Sequence, residues 1–106
     1  VSVVNINNRA LSMLSIAAKA GKVVSGGFMT ERALQDGSAC LVIIADDASD
    51  NTKKKFTDKS TYYHVPYRVA GDSQTLGKMI GKQNRTTVTV TDSGLAQQII
   101  NKLDCQ

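Results

Sequence analysis

Cys40-Leu41-Val42-Ile43-Ile44-Ala45, running into Asp46-Asp47-Ala48-Ser49, is the stretch that decides the architecture. The apolar run is rich in β-branched residues, carries no polar break and stops at an acidic turn. Such a strand is apolar on both faces, so it belongs in a sheet covered on both sides, as in a parallel sheet. Upstream, Gly27–Asp36 reads as a helix stopped by Gly37, and Val23-Val24 as a very short strand. A first helix, capped by Asn7 or Asn8, carries Leu11, Leu14 and Ala18 at helical spacing, with Met13 and Ala17 beside them. Gly21 ends it.

Downstream, Ser49 or Asp50 caps a third helix through Lys59. Thr61–Val65 reads as a strand ended by Pro66. Asp72 or Ser73 caps a fourth helix with Leu76, Met79 and Ile80, stopped by Gly81. Thr86–Thr91 alternates Thr and Val, the pattern of a half-buried strand. Leu95, Ala96, Ile99, Ile100 and Leu103 mark the last helix. Helices and strands in alternation predict an α/β fold: a three-layer α/β/α sandwich around a small sheet of about four strands. No repeat or linker divides the chain, so residues 1–106 are expected to form a single domain with a compact core over about 8–103.

Composition narrows the function classes. Leu, Ile, Val and Phe make up roughly a quarter of the 106 residues, enough for a core, and the absence of Trp makes that core aliphatic. No apolar run approaches the roughly 20 residues of a membrane helix. The N-terminus lacks the basic-then-apolar pattern of a secretory signal. Cys40 and Cys105 are isolated and form no disulfide framework. A reducing cytoplasm fits them best, and the Asn84-Arg85-Thr86 sequon then has no glycosylation route. The net charge of +4 and the pI of about 9.2 favour polyanionic partners.

Catalytic and metal chemistry find little support. One His and two distant Cys make no zinc site. His64, in the expected strand, has no nucleophile motif beside it and reads as structural. Asp46-Asp47 reads as a solvated turn and helix cap rather than a magnesium site, and Lys53-Lys54-Lys55 as a solvated helix face. Gly71–Met79 imitates a phosphate loop but fails in detail. Five residues separate its glycines rather than four, and Met79 stands where a magnesium-binding hydroxyl is required. No enzyme and no cofactor are expected.

What remains is Ser25-Gly26-Gly27 ahead of a helix. Glycines allow close backbone approach, a helix start offers free amides to phosphate, and Lys19, Lys22 and Arg32 flank it in sequence.

Several segments resemble the kink-turn-binding ribosomal protein family (archaeal L-seven-Ae and eukaryotic L-thirty types), most of all its small bacterial members of YlxQ type. They are Leu14–Val24, Gly26–Leu34, Gly37–Asn51, Thr52–Lys55, Tyr63–Pro66, Leu76–Lys82 and Val88–Ala96, in order over roughly residues 10 to 100. The resemblance implies the same three-layer sandwich. It also implies binding to kinked structured RNA, either ribosomal RNA or another kink-turn RNA, in a ribosome- or translation-linked role, by a cytoplasmic, monomeric, non-enzymatic protein. A regular A-form major groove is too narrow for side chains, but a kink opens it to a helix start.

The family's motif runs glycine, polar and acidic readers, then a basic residue. Gly26 matches the glycine, Arg32 the basic position, and Thr30 also fits. Phe28 and Met29 occupy the reader positions and cannot accept a hydrogen bond from guanine in the way a carboxylate does. The resemblance adds a second surface, the loop after the third long strand, corresponding here to Arg68-Val69-Ala70-Gly71-Asp72. The candidate RNA-binding residues are therefore Lys22, Gly26, Gly27, Phe28, Met29, Arg32, Arg68, Val69, Ala70 and Gly71. The alternative is a protein-interaction module on the same fold that has lost specific RNA binding.

Overall fold

The computed structural model describes residues 3–4 and 7–104. Cys105 lies outside them. The elements run β1 (Val3–Val4), α1 (Asn8–Lys19), β2 (Val23–Ser25), α2 (Gly27–Asp36), β3 (Leu41–Ile44), α3 (Asp50–Tyr62), β4 (Tyr67–Ala70), α4 (Ser73–Met79), β5 (Thr87–Val90) and α5 (Ser93–Asp104). The sheet order is β1-β4-β3-β5-β2. β3 pairs in parallel with β4 and antiparallel with β5, which pairs antiparallel with β2. The expected four-stranded sheet is thus a mixed one, and β1 adds two residues along the outer edge of β4.

β3 explains the layering. Leu41 and Ile43 face a core with Leu14, Leu76, Ile99 and Leu103 of α1, α4 and α5. Val42 and Ile44 face a second core with Leu34 of α2 and Phe56 of α3. Strict alternation of side chains sends each apolar residue into one of the two cores. Burying each such aliphatic side chain contributes about 1.5–3 kcal/mol.

Two expected strands are corrected. Thr61–Val65 is not a strand, because α3 continues to Tyr62 and β4 begins only after Pro66. The Thr57 and Thr61 hydroxyls donate back to the carbonyls of Lys54 and Thr57, so these β-branched residues are accommodated inside the helix. His64, at φ 58°, then reverses the chain, and the Val65 amide donates to the Ser60 carbonyl. His64 is an exposed turn residue rather than a strand histidine.

The second correction concerns β5, which is buried on both faces rather than half-buried. Val88 and Val90 enter the α1/α4/α5 core, while Thr87 and Thr89 lie under α2. There the Thr89 hydroxyl donates to Thr30 Oγ1 (2.9 Å), and Thr30 donates to Thr87 Oγ1 (3.2 Å). A polar strand face can be buried here because its hydroxyls satisfy one another.

Candidate nucleic-acid interface

The carboxyl ends of β2, β3 and β4 and the amino end of β5 gather at one end of the sheet, as the pairing directions require. Four of the five helices among the described residues close their own first turns. The Asn7, Ser49, Asp72 and Asp92 side chains accept from the amides of Ala10, Thr52, Thr75 and Leu95. α2 differs. Its N-cap is Gly26, with no side-chain cap. The first amides of a helix have no intrahelical partner, so α2 leaves them open, with a partial positive charge behind them.

Gly26 is held at φ 87° and ψ 159°, where a side chain would be strained. Its amide donates to the Thr87 carbonyl (3.0 Å), fixing the start of α2 against β5. No atom lies within 4 Å of where a Cβ would stand on Gly26, so the approach is open. Gly27 packs beside the Phe56 ring.

The segment joining α4 to β5, residues 80–86, lies against this helix start. Arg85 Nε donates to Ser25 Oγ (3.1 Å) and Nη1 to the Asn84 carbonyl (3.0 Å). Backbone bonds from Lys82 N to Gly77 O, Arg85 N to Ser73 O and Ala45 N to Thr86 O pin the segment. Gly77 is what lets it sit there: a Cβ at Gly77 would overlap the Gln83 carbonyl oxygen and crowd the Asn84 Cα. Reasoning from the sequence missed this loop. Its signal was present as Lys82 and Arg85 in a short polar stretch between a helix stop and a strand.

Of the expected site residues, Gly26, Gly27, Phe28, Met29 and Arg32 come together on and beside the first turns of α2. Phe28 and Met29 are 74% and 40% exposed, and Arg32 is exposed one turn on. Thr30 points inward instead. Glu31 is tied to Lys59 (3.2 Å) and Lys55 (3.3 Å) on α3. The Lys59 and Lys55 hydrogen bonds hold its carboxyl below the ordinary value. Its charge is thereby matched before any anion approaches. Lys22 is exposed but stands before β2, roughly 13 Å from Gly26 at about 3.3 Å per residue.

The second expected surface is corrected. Arg68, Val69 and Ala70 form β4 rather than a loop. Val69 and Ala70 are 1% and 0% exposed, so neither offers a side chain to a nucleobase. Arg68 makes a bidentate pair with Asp104 of α5 at 3.0 and 2.8 Å. That pairing raises the arginine's pKa and lowers the carboxyl's. Only Gly71 of this set lies in the turn, and its neighbours there are Asp46, Asp47 and Asp72. The Asp72 cap also explains why the phosphate-loop imitation fails, because a carboxylate already takes the amide that a phosphate would need.

Residues 8–100 match the model of the Ribosomal protein L7Ae/L30e/S12e/Gadd45 family. The chain belongs to that family. It is 45% identical over 92 residues to the RNA-binding protein YlxQ of Bacillus subtilis, covering 87% of this chain and 92% of that one. It is 28% identical to the large ribosomal subunit protein eL8 of Cenarchaeum symbiosum, covering 91% of this chain and 77% of that one. Among solved structures, a Bacillus halodurans protein of unknown function superposes with a TM-score of 0.89 at 37% identity, over 92% of this chain and 99% of that one. A Giardia lamblia 15.5kD RNA binding protein superposes at 0.77 with 21% identity, over 91% and 85%, and shares the fold. No helix among the described residues is long and apolar enough to cross a membrane.

Proposed function

We propose that this protein binds structured RNA of the kink-turn type, as a non-enzymatic monomer in a ribosome- or translation-linked role. The supporting observation is the uncapped start of α2 with Arg85 hydrogen-bonded beside it, a pair of anion-seeking features on one open surface. The open amides take a phosphate, and Arg85 and Arg32 take its neighbours along the strand. Membership of a family whose relatives include proteins named for RNA binding supports the same partner.

The test is a titration against a kink-turn RNA and a control whose G·A pairs are changed to Watson–Crick pairs. The kink-turn RNA is expected to bind more tightly, with affinity falling as salt rises. Equal affinity for both would remove the kink-specific reading. No binding to either would favour the protein-interaction module.

A further inference from the structure

We infer that Phe28 recognises the RNA by stacking on an unpaired nucleobase, while Arg32 and Arg85 hold the phosphates around it; this rests on the RNA-binding reading above. Both phenylalanines of the chain are accounted for, in opposite ways. Phe56 is 3% exposed in the α2/α3 core, whereas Phe28 stands 74% exposed. The other exposed aromatics, Tyr62 and Tyr63, carry hydroxyls and pack edge-to-face on each other, with centroids 4.9 Å apart. Phe28 has only a hydrocarbon ring to present, and it presents it to water.

Its surroundings select the occupant. Phe28 and Arg32 are four residues apart on α2, and Met29 and Arg32 three apart, so the three share one exposed helix face. Arg85 is anchored to Ser25, the residue just before the open Gly26 backbone. The acids of α2 are engaged, Glu31 by Lys55 and Lys59, and Asp36 by the Ser38 amide. A flat apolar ring among cations, beside bare backbone, fits a base with its phosphates better than an apolar peptide. Phe28 has no polar atom and the Met29 thioether is only a weak acceptor, so the contact is to the π-face and tolerates any base.

The test uses the full chain and a kink-turn RNA carrying 2-aminopurine at the bulge, with a second RNA lacking that base. Stacking predicts that 2-aminopurine fluorescence is quenched on binding and that Phe28→Ala loses about 5- to 150-fold in affinity. Phe28→Trp should retain binding. Removing the bulge base should weaken the wild-type protein but cost Phe28→Ala nothing further. Because the ring is exposed, the variants are expected to melt like the parent. Unchanged affinity of Phe28→Ala, with Arg85→Ala weakened, would overturn stacking and leave RNA binding standing. Unchanged affinity of both would overturn stacking and place the RNA site away from this face. Sedimentation decides the remaining outcome: a dimer abolished by Phe28→Ala, with RNA affinity unchanged, would assign the patch to a second copy and overturn the inference.

Discussion

Two regions at the same end of the sheet differ in what they leave over. The turns after β3 and β4 are acidic and spend their polar groups on each other and on the helices that follow them. Asp47 accepts from the amide and hydroxyl of Ser73 at 2.9 and 2.8 Å, Asp46 pairs with Lys53 at 3.6 Å, and Asp72 caps α4. The segment before β5 is basic, and it leans on a helix start that nothing caps. β4 and β5 lie two places apart in the sheet, and the two regions touch where the Arg85 amide donates to the Ser73 carbonyl at 3.0 Å. The comparison teaches that strand ends alone do not make a binding edge. What matters is whether local side chains have already satisfied the amides there.

The largest effect that would sharpen the contrast is at Gly77. Ala would add about 1 kcal/mol of helix propensity, but its Cβ would overlap a backbone carbonyl that cannot swing away. Overpacking of this kind typically costs about 1–3 kcal/mol. Gly77→Ala is therefore expected to lower stability on urea unfolding and to weaken RNA binding by displacing the Arg85 loop. Retained stability with intact binding would show that this loop is not held as described.

Arg85→Ala comes next. It should weaken RNA binding by about 1–3 kcal/mol, as for hydrogen bonds to charged groups, and reduce the salt slope by about 1. Arg68→Ala should change neither. The reverse pattern would exchange the roles of the two loops.

Asp47→Ala is expected to cost about 1–2 kcal/mol of stability, because the Ser73 amide loses its partner, while RNA affinity stays the same. The smallest effect belongs to Asp104→Asn, at about 1 kcal/mol or less for a partly exposed pair. Here the sign of the pH dependence is defined. The folded carboxyl is held below its ordinary value by Arg68, so its contribution is full above about pH 4 and fades as pH falls through the folded pKa. The stability gap between the parent and Asp104→Asn should close on acidification. A gap that widens would contradict the pairing.

Much of the architecture was legible because it rests on local patterns. The apolar run of β3, the Gly37 stop and the periodicity of α5 each carry their own signal. β4 was misplaced by three-dimensional effects: hydroxyls bonding back into α3 and a reversal at His64 moved the strand past Pro66. The burial of β5 depended on Thr30, which lies more than fifty residues away in sequence. At the site, Gly26 and the exposed α2 face were readable from a glycine before a helix. The second half was not, because the neighbour of α2 is set by the strand order. β5 sits between β3 and β2, which brings residues 80–86 to Ser25 and leaves Gly71 two strands away.

The most direct test of the proposed RNA face is a titration of isotope-labelled protein with kink-turn RNA, followed by amide NMR shifts. Shifts centred on Gly26–Arg32 and residues 82–86, with Gly71 and Asp72 unmoved, are predicted. Shifts centred on Gly71 and Asp72, with the α2 start silent, would contradict the account.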